Sequence, residues 1–213
     1  MSKNIMIFGD SYSTFEGLVP EGYAVYYDHK GRPETDVTRP EETWWHQVIT
    51  KKGYHLVRND SWSGATIGYT GYDGADLSET SSFLCRLDRL VREGFFAQNR
   101  IDTVFVFGGT NDSWSDAPLG VPTDGPFRRE DLYNVLPAIA CFFRTLREIL
   151  PEAKIYCLEN TELKEEIYSA FDRVCQQYGI IPIPFDYIDK RSKHPTIEGM
   201  KNIAHGVLTA LNP

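Results

Sequence analysis

The tripeptide Gly9-Asp10-Ser11 follows the apolar run Ile5-Met6-Ile7-Phe8. That pattern predicts a short buried strand, a turn at glycine, and a serine presented at the strand's carboxyl end, where open α/β sheets bind ligands. A serine hydroxyl is a weak nucleophile until a base removes its proton. Further groups recur in matching places. Asn59-Asp60-Ser61-Trp62-Ser63-Gly64 follows a second candidate strand, Gly108-Gly109-Thr110-Asn111-Asp112 a third, and His194-Pro195 a fifth. A serine, a histidine and neutral hydrogen-bond donors are the parts of nucleophilic acyl transfer. Ser11 does not sit in a Gly-x-Ser-x-Gly elbow, which disfavours the α/β-hydrolase fold.

The elements that must position these groups alternate along the chain. Strands are predicted over 5–8, 54–57, 101–107, 154–158 and 180–183, the last interrupted by prolines. Helices are predicted over 41–52, 81–92, 130–150, 162–178 and 196–211. Pro137 lies inside the third, which predicts two helices or a kink. The alternation implies one α/β domain over 1–213, a three-layer α/β/α sandwich around a central parallel five-stranded sheet. The irregular stretch 12–40 carries Tyr23, Tyr26 and Tyr27, which predicts an ordered surface. Gly68, Gly71 and Gly74, with Tyr69 and Tyr72 between them, read as a flexible loop beside the site. A phosphate cradle would need a Lys-Ser/Thr pair that is missing here.

Composition bounds the partners. The 213 residues are 41% hydrophobic and 24% charged, and the net charge of −8 argues against a nucleic-acid or anionic-membrane surface. No run is long enough for a transmembrane helix. Met1-Ser2-Lys3-Asn4 leads straight into the first strand, so no signal peptide and a cytoplasmic location are expected. Cys85, Cys141, Cys157 and Cys175 form no Cys-x-x-Cys pair and read as buried free thiols. No motif suggests a metal or another cofactor, and the oligomeric state is not legible.

The four blocks, in this order, resemble the SGNH hydrolases, the GDSL-type esterase and lipase superfamily named for a Ser, a Gly, an Asn and a His. Gly9-Asp10-Ser11 corresponds to the nucleophile block, with Tyr12 where many members carry leucine. Gly64, with Asn59 before it, corresponds to the glycine block. Gly109-Thr110-Asn111-Asp112 corresponds to the asparagine block and His194-Pro195 to the histidine block. The resemblance implies a flavodoxin-like fold, Ser11 as nucleophile, and His194 as general base and then acid. It implies an oxyanion hole made of the Ser11 and Gly64 N–H groups and the Asn111 side-chain amide. Asp10 and Asp112 are read as structural.

One position departs from the pattern. Members commonly carry an aspartate three residues before the histidine, and Arg191 stands there. Asp189 is the expected third member, with Asp186 or a backbone carbonyl as alternatives. Tyr12, Trp62 and Trp114 are expected as walls of the substrate pocket, packing around the site being the other reading of the tryptophans. The implied activity is a serine esterase acting through an acyl-enzyme, on a small acyl group, acetyl above all, attached to a polar or carbohydrate alcohol. A lipid esterase or thioesterase, an acyltransferase and a catalytically dead binding protein of the same fold are the alternatives. The only partner expected is a small-molecule ester.

Overall fold

Side chains alternate across the strands and sort the fold into three layers. The structure, a computed structural model, describes residues 2–212. Strands β1 (Asn4–Gly9), β2 (His55–Ser61), β3 (Thr103–Phe107), β4 (Lys154–Glu159) and β5 (Ile181–Pro184) form one parallel sheet in the order β2-β1-β3-β4-β5. This is the flavodoxin-like strand order. Met6, Phe8, Val104, Val106 and Ile155 point to one face, where they meet Leu87, Phe142 and Phe171. Those three lie on α2 (Phe83–Arg92), α5 (Val135–Ile149) and α6 (Glu165–Tyr178). Ile5, Ile7, Phe105, Phe107 and Leu158 point to the other face. There they meet Trp44 and Val48 of α1 (Trp44–Lys52) and Met200 and Ile203 of α7 (Ile197–Ala210).

Each predicted strand and long helix is present within a few residues of its expected bounds. Pro182 and Pro184 are tolerated because β5 is an edge strand, where a missing N–H need not break a ladder. Pro137 falls in the first turn of α5, where its missing N–H had no helical partner to lose, and a separate 3₁₀ turn, Arg129–Tyr133, precedes that helix. The short helices α3 (Phe95–Gln98) and α4 (Thr110–Trp114) and a two-residue hairpin, β6 (Lys190–Arg191) with β7 (His194–Pro195), complete the elements that bear on the site.

The chain leaves β1 for β2 on one side and returns to β3 on the other. The strand order therefore reverses between β1 and β3, and ligands of such sheets bind in the crevice at that point. Ser11 follows β1 and Asn111 follows β3. Among the described residues no helix is long and apolar enough to cross a membrane.

Candidate active site

The turn that carries Ser11 is shaped from below by small and polar groups. A Cβ on Gly9 would lie 2.4 Å from Ser61 Oγ and 2.6 Å from Ser13 Cβ, so only glycine fits. Asp10 caps the 3₁₀ turn Ser11–Ser13 by accepting from the Tyr12 N–H at 3.0 Å. Its burial pushes the carboxyl up to about 7, against the pull of that hydrogen bond. Asn59 Nδ2 donates to the Ser13 carbonyl at 2.8 Å, and Asn59 Oδ1 accepts from Ser61 Oγ at 2.6 Å. Arg86, fully buried on α2, donates to the Gly9 carbonyl at 3.2 Å, the Ser81 carbonyl at 2.8 Å and Asp60 Oδ2 at 3.0 Å. It also reaches the Asp60 carbonyl. One guanidinium thus fastens together the carboxyl ends of β1 and β2.

His194 reaches Ser11 from the other side. Its Nε2 lies 3.1 Å from Ser11 Oγ, and its Nδ1 lies 3.2 Å from the Ser192 carbonyl oxygen. A carbonyl can only accept, so Nδ1 carries the proton and Nε2 keeps a lone pair for the serine hydroxyl. Burial holds the imidazole below its ordinary pKa, the Ser192 carbonyl opposing that shift, so the neutral base is favoured. The Tyr26 ring stacks on the imidazole at a centroid distance of 3.6 Å and an angle of 6°. The Arg32 guanidinium lies 4.6 Å from the Tyr26 ring centroid. The Tyr27 hydroxyl donates to the Pro195 carbonyl at 3.1 Å, so the 12–40 stretch is an ordered wall against the histidine hairpin.

Asp189 does not face His194, which corrects the expected triad. Its Oδ1 accepts from the Tyr187 hydroxyl at 3.0 Å and its Oδ2 from the Thr196 hydroxyl. The reason is the hairpin. Arg191 pairs with His194 and Lys190 with Pro195, which carries Asp189 back opposite Thr196 at the start of α7. Asp186 is exposed. The acceptor on Nδ1 is the Ser192 carbonyl.

The groups expected as oxyanion donors, Ser11, Gly64 and Asn111, follow β1, β2 and β3 in turn. Gly64 has φ +82°, and a Cβ there would meet nothing within 4 Å. Glycine is needed for the left-handed backbone and not for a close approach. Among the described residues, neither the Ser11 nor the Gly64 N–H has a protein acceptor. Asn111 sits in the first turn of α4. Its Nδ2 donates to the Ala65 carbonyl at 2.8 Å, and its Oδ1 accepts from the Tyr72 hydroxyl at 2.9 Å. These two bonds fix which end of the amide is nitrogen and leave the second Nδ2 hydrogen free to donate. Asp112 accepts from the Ile67 N–H at 2.9 Å and the Gly68 N–H at 3.2 Å, which ties α4 to the loop carrying Gly64. Burial pushes its carboxyl up to about 6.

A profile of the family described as GDSL-like lipase/acylhydrolase matches residues 3–211. The chain belongs to that family. As a member it is a carboxylic ester hydrolase. It is similar to a solved structure from Bacteroides ovatus assigned as a GDSL-like lipase, at 40% identity over 99% of this chain and 98% of that one, with a TM-score of 0.91. A second, from Bacteroides uniformis, has the same assignment, 40% identity, coverage of 100% and 96%, and a TM-score of 0.90. An acetyl xylan esterase from Butyrivibrio proteoclasticus shares the fold, with 18% identity, coverage of 99% of this chain and 63% of that one, and a TM-score of 0.61. No curated protein is detectably similar.

The aromatic surroundings of this GDSL-like hydrolase differ in part from expectation. Tyr12 has 0% exposure and cannot wall a pocket. The turn after Asp10 rolls its ring under the sheet end, edge-on to Phe107 at 5.6 Å. Trp62 is half-buried and packs on Tyr23 at 4.3 Å. Trp114 is half-buried, with its ring edge-on to His194 at 6.3 Å. Tyr26, Tyr72 and Arg86 are not singled out as site residues by motif. The tyrosine-bearing 12–40 stretch and the Gly68–Gly74 loop were the signals for the first two. All four cysteines are free thiols, with Cys141 half-buried and the others buried. Cys157, Glu159 and Cys175 bring potential metal ligands within 4.8 Å of one another. Burial pushes the Glu159 carboxyl up to about 7 and the Cys157 thiol well above its ordinary value.

Proposed function

We propose that this GDSL-like hydrolase is a serine esterase that removes small acyl groups, acetyl above all, from polar or carbohydrate alcohols through a Ser11 acyl-enzyme. The observation that carries the reading is the 3.1 Å contact between Ser11 Oγ and His194 Nε2, with Nδ1 held on a carbonyl. His194 takes the Ser11 proton as Oγ attacks the ester carbonyl. The developing oxyanion is met by the Ser11 and Gly64 N–H groups and by Asn111 Nδ2. The imidazolium then protonates the leaving alcohol, and a water activated by His194 hydrolyses the acyl-enzyme. The imidazolium's Nδ1–H stays on the Ser192 carbonyl throughout, a neutral acceptor in place of a carboxylate.

The small acyl group is supported by the bulky rings beside the proposed catalytic groups, Tyr26 and Trp114 at His194 and Tyr72 at Asn111. The polar alcohol is supported by the phenol and indole groups those residues offer. Four free thiols fit a reducing compartment, and we place the protein in the cytoplasm on that ground.

An acyl-chain series of p-nitrophenyl esters tests the acyl assignment. A hydrophobic slot gains about 0.8 kcal/mol per buried methylene, so a lipid esterase would show kcat/KM rising with chain length. The proposal predicts acetyl best, butyryl weaker and octanoyl nearly inert. Rates that climb to octanoyl would overturn it. Acetylated sugars turned over no better than acetylated aliphatic alcohols would withdraw the carbohydrate half alone.

A further inference from the structure

Ser192 and Lys193, the two residues joining β6 to β7, both have positive φ, 47° and 67°. Two consecutive left-handed residues make the hairpin turn usually built from asparagine and glycine. Serine and lysine both resist that backbone, and such strain persists only where the surroundings hold it. The turn presents two successive carbonyls. That of Ser192 accepts from His194 Nδ1. That of Lys193 accepts from the Tyr12 hydroxyl. Tyr12 is itself fixed. It is fully buried, edge-on to Phe107, and its N–H is bound to Asp10.

We propose that Tyr12 is a positioning residue for His194. By fastening the Lys193 carbonyl, it holds the strained turn so that the Ser192 carbonyl keeps the imidazole in the tautomer and direction Ser11 requires. The inference rests on reading Ser11 and His194 as nucleophile and base. It assigns the orienting task of a triad carboxylate to two backbone carbonyls and one phenol. It also joins base to nucleophile directly, because the clamp is the residue after Ser11.

A double-mutant cycle tests it. Tyr12→Phe keeps the ring and its packing and removes only the hydroxyl. With the native turn it should lower kcat for p-nitrophenyl acetate by roughly ten-fold or more and move KM by less than about two-fold. Ser192→Asn with Lys193→Gly builds a turn that needs no clamp. In that background, adding Tyr12→Phe should lower kcat by less than about two-fold. Equal losses in the two backgrounds, or no loss from Tyr12→Phe with the native turn, would overturn the proposal. The Asn-Gly turn should also raise Tm, and a lowered Tm would remove the strain on which the argument stands, even if Tyr12→Phe failed to fold. Labelling of Ser11 by a fluorophosphonate, measured first on the unaltered protein, separates failure of this inference from failure of the Ser11–His194 reading.

Discussion

Nδ1 of His194 lies 3.2 Å from the carbonyl oxygen of Ser192, the place where triad hydrolases put a carboxylate. Asp189, the acid expected there, is occupied by Tyr187 and Thr196. Asp189→Asn should therefore keep kcat within about three-fold of the unaltered enzyme, since no group that touches substrate is changed. It should lower Tm modestly, because an amide cannot accept on both sides. A thousand-fold loss of kcat with Tm unchanged would return Asp189 to the triad.

The acid limb of the pH–rate profile follows from the buried imidazole. As the proposed base His194 must be neutral, and burial lowers its pKa. A lowered pKa keeps it neutral further into acid, so the acid limb of kcat/KM should have its midpoint below the ordinary histidine value of about 6.5. The neighbouring Arg32 cation pushes the same way, while Glu34 and the Ser192 carbonyl push back. Arg32→Ala should shift that limb toward higher pH. A native midpoint above 6.5, or a shift the other way, would contradict this electrostatic account.

Asn111→Ala removes an amide whose orientation Ala65 and Tyr72 fix. By the usual cost of one oxyanion donor, kcat should fall by roughly 10²–10³ with KM little changed. Tyr72→Phe should cost less, since the Ala65 contact survives, and its loss should also fall on kcat. Effects confined to KM would mean that Asn111 binds the ground state.

Arg86 should matter to stability first. It is fully buried against Asp60 and three backbone carbonyls at the ends of β1, β2 and the start of α2. Arg86→Met leaves Asp60 with the Arg58 guanidinium and the Tyr23 hydroxyl and takes one donor from each of three carbonyls. Breaking a buried pair in this way costs about 3 kcal/mol or more, which should lower Tm by about 6 °C or more in a chain of this size. Thermal melts check it, and an unchanged Tm would mean that the strand ends hold without the guanidinium.

The legible and illegible parts of this molecule divide on physical grounds. Strands β1 and β3 are runs of buried side chains cut off by glycine, and such runs can be read locally. The same is true of the end of α1 at Gly53, whereas its start moves from the predicted 41 to Trp44, capped by Thr43, because Pro40–Glu42 forms a separate 3₁₀ turn. Three of the four motif blocks lie at strand ends for that reason, and the histidine block sits on the β6–β7 hairpin after β5. Arg86 is hidden because a charged residue in an amphipathic helix reads as exposed, and only the carbonyls of distant strands bury it. The β6–β7 hairpin is two residues a side, too short to carry a period, and its course decides that Asp189 misses His194. Tyr12 reads as a pocket wall from its place beside Ser11, yet the turn geometry sends its ring inward. Tyr26 lies in a stretch with no period at all, and only tertiary contact sets it on the imidazole.

The central claim, that Ser11 is a nucleophile activated by His194, is tested most directly by mass spectrometry after treatment with a fluorophosphonate. The account predicts a single adduct, mapped to Ser11, formed more slowly in His194→Ala and absent in Ser11→Ala, with ester hydrolysis lost in parallel. No adduct on Ser11, or a Ser11→Ala protein that keeps more than about a tenth of the native kcat, would contradict it.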